Sequence, residues 1–331
     1  MKKLKILKKF VLFFMLFYFL FCMQCSESFG SLIDCKEITK PGKYNYSNQI
    51  CYIIKNTKGV SLDCNNFEIS GNGKDYGILI ISCENITIKN CKIRNFYYGI
   101  FINKSKKVKI ENITFFNNKE GLWVENSFKI SVEKINASKN VIDGLVLVNS
   151  NIIHIKNFLF QINGAGAWIE NSSFIFLENG TLMKNSYGIY SLFSNDLYFE
   201  NLTLVNNSLS NIFLSNSRFV KIKHSKVSGS IDGIYESNSF GINISDVVIS
   251  FNDYGIYLYN SKLTRISNTS FKSNKIQGIK NFSSTFLIYN ISFQNLKENK
   301  KERCPSLFKT MLNLIFSLIN KNIDLIFSLF K

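Results

Sequence analysis

His154 and His224 are the two histidines of this 331-residue chain, and an imidazole is the side chain best placed to move a proton near neutral pH. Asp246 follows His224 by 22 residues, a spacing at which a coiled chain would stack them as a His–Asp acid/base dyad. The plainer reading of both histidines is a solvated or amide-satisfied surface position. Asp232 and Asp253 precede Gly233 and Gly255. On adjacent coils they would lie roughly 5 Å apart, where two carboxylates could hold Ca²⁺ or activate water. A Ca²⁺ site wants six or more oxygens, and two acids do not supply them. No clustered His, Met or Cys suggests a soft-metal site, so neither cofactor nor metal is expected, and no catalytic residue is assigned beyond the weak candidates His224, Asp246, Asp232 and Asp253.

Cysteine is more informative. Eight are present, and five of them (Cys35, Cys51, Cys64, Cys83 and Cys91) crowd into one stretch. In an oxidising compartment such crowding marks disulfides. The expected pairs are Cys35 with Cys51 and Cys64 with Cys91, out of the 15 pairings that six cysteines outside the leader allow.

The elements that must position these residues repeat. Gly77, Gly99, Gly121, Gly144, Gly166, Gly188, Asn211, Gly233, Gly255 and Gly278 follow one another at steps of 22 or 23. One and three residues after each, the chain is mostly aliphatic (Ile100/Ile102, Leu145/Leu147, Ile256/Leu258), the alternation of a strand with one buried face. Two further alternating pairs per repeat, such as Val108/Ile110 and Ile113/Phe115, predict three short strands per coil stacked as the walls of a parallel β-helix of about ten 22-residue coils. A serine column (Ser105, Ser127, Ser150 and onward) and two asparagine columns mark the turns: Asn118, Asn140, Asn163 in one, Asn112, Asn157, Asn179 in the other. Stacked amides hydrogen-bond along such columns, which accounts for much of the 42 Asn.

The Gly-Ile-x-Ile-x-x-Ser phase and the segment Leu62–Gly73 resemble the NosD-like and pectin-lyase-like β-helix proteins over roughly residues 33–296. That resemblance implies a right-handed coil and a carbohydrate-binding or sugar-hydrolysing relative. It implies no site, because the repeat encodes the coil.

Composition and charge frame the rest. With 46% hydrophobic residues and 2 Pro, the chain is neither a linker nor a charge-rich disordered tail. Residues 1–28 read as a signal peptide or signal anchor, with five lysines before an apolar run from Phe10 to Met23. Residues 31–74 read as an N-terminal cap with the first coil, 75–296 as the repeats, 297–306 as a linker, and 307–331 as an amphipathic helix that either packs on the end of the rod or lies in a membrane surface. Removing residues 1–28 takes five Lys and one Glu from a net charge of +17, leaving +13. An exported basic body suggests anionic glycans or lipid headgroups as partners and speaks against nucleic acid. Of thirteen Asn-x-Ser/Thr sequons, Asn103 and Asn243 are the expected acceptors, because Asn112, Asn179, Asn201 and Asn268 belong to a column expected to point inside.

Two residues after the repeat glycine, on the face away from the core, stand Leu79, Phe101, Trp123, Val146, Trp168, Tyr190, Phe213, Tyr235, Tyr257 and Lys280. Seven aromatics in eight coils make a stripe about 34 Å long. It could stack a polysaccharide, meet a protein partner or another copy, or only stabilise the sheet as cross-strand pairs. The expected function is an exported, envelope-associated binding or surface-structural module that takes carbohydrate on Phe101, Trp123, Trp168, Tyr190, Phe213, Tyr235 and Tyr257. The alternatives are a polysaccharide lyase or glycoside hydrolase, and a self-assembling surface protein. Membrane contact is expected through residues 4–23 and 307–331.

Overall fold

The computed structural model describes residues 35–294; the expected leader, linker and C-terminal helix, with Cys304, lie outside the described residues. Within them the chain is all β and winds as a parallel solenoid. One wall is a sheet of twelve parallel strands, from Cys35–Ile38 through Tyr76–Ile81 to Gln277–Phe282. The other two walls share a second sheet. Twelve coils rather than ten arise because the region expected to be a cap already contributes two strands to the first wall, Cys35–Ile38 and Cys51–Lys55. Their spacing departs from 22 residues, so the glycine phase does not reach them.

The second and third walls also differ from the expected pair of short strands. In six consecutive coils they form one 11-residue strand, such as Glu84–Arg94 or Lys106–Phe116. Each bends between the two walls at a residue in the left-handed region, Asn90 at φ 57°, Asn112 at 54° and Asn157 at 56°, and carries a second such residue near its start. Three more left-handed corners complete each regular coil, as at Lys104, Lys107 and Asn117. Half of the non-glycine residues at positive φ are Asn, the residue that tolerates this geometry best after Gly.

One asparagine column lies inside the coil. Asn140 donates its backbone N–H (2.9 Å) and its Nδ2 (3.0 Å) to Asn163 Oδ1, and Asn163 Nδ2 donates to Ala137 O at 3.1 Å. Each buried amide therefore finds partners on neighbouring coils. The other column, expected inside, is on the surface. Asn112 and Asn201 are exposed at the left-handed corner, where Asn112 Nδ2 donates to Asn90 Oδ1 and Asn201 Nδ2 to Asn179 Oδ1, both at 2.8 Å. A left-handed residue turns its side chain outward, so Asn112, Asn179, Asn201 and Asn268 are as accessible as the other sequons. The serine column is internal: Ser127 N–H donates to Ser150 Oγ at 3.1 Å, whose own hydroxyl donates to Val148 O at 2.8 Å.

The repeat glycine is required by close approach. A Cβ on Gly166 would lie 2.8 Å from the carbonyl oxygen of Gly188 and 3.1 Å from Asn185 Nδ2. Cys35 is bonded to Cys51 and Cys64 to Cys91, while Cys83 is buried and free, at the head of the serine column. Such bonds persist in an oxidising compartment, the environment of an exported protein.

Candidate functional site

The outer face of the twelve-stranded wall carries the aromatic stripe in unbroken register, from Leu79 against Phe101 to Tyr257 against Lys280. The rings are not a row of open platforms. Trp168 stacks on Tyr190 at 4.4 Å, Tyr190 on Phe213 at 4.6 Å and 3°, and Phe213 on Tyr235 at 5.0 Å and 2°. Tyr190 and Phe213 are 8% and 6% exposed, beneath Tyr187, and form a small apolar cluster of their own outside the main core. Burial pushes the Tyr190 hydroxyl up to about 12. The middle of the expected ladder thus spends its faces on itself, as offset aromatic pairs do. Phe101, Trp123, Trp168, Tyr235 and Tyr257 remain partly open.

The stack is interrupted at Val146, which is 2% exposed between the two indoles. Each indole is oriented by a carboxylate two residues on: Trp123 Nε1 donates to Glu125 Oε2 at 3.4 Å, and Trp168 Nε1 to Glu170 Oε2 at 3.1 Å. Alternation along the strand puts residues two apart on the same face. The result is two indole–carboxylate units two coils apart, about 9.6 Å at the strand spacing.

Beside them sits an acidic pair that the sequence reading did not single out. Glu120 and Asp143 face one another on adjacent strands one residue before the repeat glycine, and are 4% and 7% exposed. Glu120 Oε2 accepts the Asp143 backbone N–H at 3.1 Å, and Asp143 Oδ1 accepts that of Ala165 at 2.6 Å. Burial, reinforced by the Asp143 carboxylate, pushes Glu120 up to about 8, and burial raises Asp143 to about 6. Two carboxyl groups poised apart in this way suit acid/base work, but both are closed off and engaged with backbone donors, which makes them parts of the sheet. The signal was visible as two successive acids in the position before the glycine.

Asp232 and Asp253, expected side by side on adjacent coils, are not register partners. Asp232 pairs with Ser210 and Tyr254, and Asp253 stands one residue out of that register, its carboxylate 3.3 Å from Lys275 Nζ. His224 and Asp246 do stack, at the exposed left-handed corner, with Nε2 3.9 Å from Asp246 Oδ2 and Nδ1 3.3 Å from Glu200 Oε1. Their side chains are 57% and 41% exposed, so this pair sits in water at an open corner. His154 instead belongs to a second ladder on the opposite sheet, stacking on Phe176 at 4.2 Å, with Phe176 on Tyr198 at 4.6 Å and Lys221 over the Tyr198 ring. That ladder was legible only as an unremarkable outward column.

Residues 50–209 match the model of a right-handed β-helix region, and residues 163–304 match that of the periplasmic copper-binding protein NosD. This chain has the fold of a right-handed parallel β-helix. Its fold is shared, at 13% identity and a TM-score of 0.54, with the A-module of the mannuronan C-5 epimerase AlgE4 of Azotobacter vinelandii, over 82% of this chain and 91% of that one. A double mutant of the periplasmic alginate epimerase AlgG aligns at 14% identity and a TM-score of 0.56, over 76% of this chain and 78% of that one. ORF18 of Geobacillus virus E2 aligns at 14% and 0.57, over 74% of this chain and 55% of that one. No curated protein sequence is significantly similar to the chain. The described part of the β-helix does not fit a copper centre. Copper calls for clustered His, Met or thiolate donors, and no group of three or more His, Cys, Asp or Glu that could hold a metal occurs among the described residues. Cys83 is buried with its thiol directed at the Ile54 and Ile81 carbonyls.

Proposed function

We propose that this β-helix is an exported carbohydrate-binding module whose working surface is the Trp123–Trp168 segment of the twelve-stranded wall. The observation that carries the reading is the repeated pairing of an indole with a carboxylate at Trp123/Glu125 and Trp168/Glu170. An indole edge and face offer apolar contact to the C–H surface of a sugar, and a fixed carboxylate accepts hydrogen bonds from its hydroxyls. The separation of the two units is comparable with the span of two pyranose rings, so an extended polysaccharide lying along the rod would meet one unit at every second sugar. The fold shared with two alginate epimerases supports a polysaccharide as the ligand class. The carboxylates favour a neutral or hydroxyl-rich chain over a polyuronate, through like-charge repulsion.

Retention on a panel of insoluble neutral polysaccharides tests this reading. The doubly substituted Trp123→Ala, Trp168→Ala protein is expected to lose retention with an unchanged far-ultraviolet spectrum. Equal retention of the variant sinks the proposal. Release of reducing ends or unsaturated products by the native protein replaces it with the lyase or hydrolase reading.

A further inference from the structure

The turn between the twelve-stranded wall and the second sheet carries an apolar, cationic ridge. Phe128, Phe174, Phe219, Phe240 and Leu263 are 41%, 46%, 50%, 37% and 51% exposed. They occupy two adjacent columns of that turn, and six coil rises separate Phe128 from Leu263, about 29 Å at the strand spacing. Phe174, Phe219 and Leu263 stand at its left-handed corner, with φ of 55°, 55° and 57°. For a bulky L-residue that conformation costs roughly 1–2 kcal/mol. The same column opens with Asn85 at φ 57°, so the corner can be made with a residue that suits it and stays wet. Large apolar groups here bear both local strain and contact with water. Little is recovered inside the molecule: Phe219 meets Phe240 edge to face at 5.8 Å, and both rings stay open to solvent.

The charge of this turn is predominantly positive. Lys58, Lys106, Lys107, Lys129, Arg218 and Lys262 stand in the same two columns, with Glu84 and Asp196 as the acids among them. At the N-terminal end Glu84 is enclosed by Lys58, Lys106 and Lys107 at 3.1–3.4 Å. Arg218 and Lys262 join none of the ion pairs among the described residues. They flank Phe240, its neighbour in the pairing on both sides, across an open groove of about 460 Å³ that Phe219, Asn238 and Asn260 complete. Gly241 lies against the Phe219 ring, and a Cβ there would come within 3.1 Å of it. Glu125 and Glu170, the nearest carboxylates on the adjoining wall, are turned to the indoles.

We infer that this turn is a membrane-contacting edge, which lays the rod lengthwise on an anionic phospholipid surface. A line of phenyl and leucyl groups that can enter the acyl boundary, backed by cations at headgroup depth, is the composition of an interfacial anchor. The linear form suits a bilayer, which accepts an extended edge. Exposed large apolar groups repeated along one edge mark an interaction site. The edge is separate from the proposed carbohydrate face, which leaves that wall clear while the rod is bound.

Co-sedimentation of the full chain with vesicles of phosphatidylglycerol and phosphatidylcholine tests the assignment. The substituted chain Phe174→Asn, Phe219→Asn, Leu263→Asn takes the residue that Asn85 shows to be compatible with the corner, so its melting temperature should match or exceed the native value. Its partition into anionic vesicles should fall at least tenfold. In the Phe219→Trp chain, indole fluorescence should be quenched by lipids brominated on the acyl chain beyond the background of Trp123 and Trp168. Unchanged partition of the Asn-substituted chain, or no added quenching at residue 219, overturns the inference. So does retention on an acidic polysaccharide that Arg218→Ala, Lys262→Ala abolishes while the native chain ignores vesicles.

Discussion

Asn211 stands where the other regular coils have glycine because Ser230, one coil on, has replaced the buried asparagine of the amide column. The freed space is filled from the other direction: Asn211 Oδ1 accepts from Asn207 Nδ2 at 2.7 Å, while Asn211 Nδ2 donates to Ser230 Oγ at 2.9 Å and to Ser228 O at 3.0 Å. A Cβ that would clash elsewhere is tolerated where the interior amide has shrunk to a hydroxyl. Asn211→Gly is therefore expected to cost about 1–3 kcal/mol, the penalty for stranding buried polar partners. Asn211→Gly with Ser230→Asn should recover most of it by restoring the regular ladder. Denaturant unfolding of the native, two single and double variants checks this as a coupling energy.

The buried carboxyl groups set a pH dependence. Burial pushes Glu120 and Glu236 each up to about 8, from an ordinary value of 4.5; Glu236 is enclosed in the core, its Oε2 accepting from Thr264 Oγ1 at 2.7 Å. A carboxyl with a raised folded pKa favours the folded state while protonated. Its contribution is complete below about pH 4.5 and is lost as pH rises to about 8. At 1.36 kcal/mol per unit, each Glu accounts for at most about 5 kcal/mol. Melting temperature should fall from pH 5 to pH 9, and Glu120→Gln with Glu236→Gln should flatten that fall. A native profile that rises with pH contradicts this.

Ring stacking makes opposite predictions for two members of one stripe. Tyr190 is held between Trp168 and Phe213 at 8% exposure, so Tyr190→Ala should cost about 2–4 kcal/mol. Trp123 lies at an interruption, stacked loosely on Phe101 at 6.4 Å, and Trp123→Ala should cost less than half as much. Chemical melts of the two variants decide.

The disulfides close loops of 16 and 27 residues, for which chain entropy predicts roughly 3 kcal/mol each. Reduction should lower the melting temperature, and Cys64→Ser with Cys91→Ser should reproduce part of the drop. Cys83 should resist a maleimide in the native protein and react once it is unfolded, read by mass spectrometry.

The legible part of this protein was what repeats. Spacing alone predicted which residues stack, so the Phe101–Trp123–Trp168–Tyr190 column and the serine column were readable as positions, while the two cysteine pairs were legible from their crowding. The misread parts were those one residue off the phase, or those that depended on direction. Asp253 was placed beside Asp232 because both precede a glycine, yet the strand register sets Tyr254 there. The Asn112 column was placed inside because it resembles the Asn140 column, although a left-handed corner points its side chain outward.

The sequence by itself determined the coil, its period and the identity of every column, because a parallel solenoid converts separation along the chain into adjacency in space. Only the tertiary structure decided what each column does: which rings spend their faces on one another, which carboxyl groups are shut away with backbone donors, and which turn lines up phenyl groups with cations. Those outcomes depend on side-chain direction and on what the neighbouring coils leave uncovered, and a period records neither.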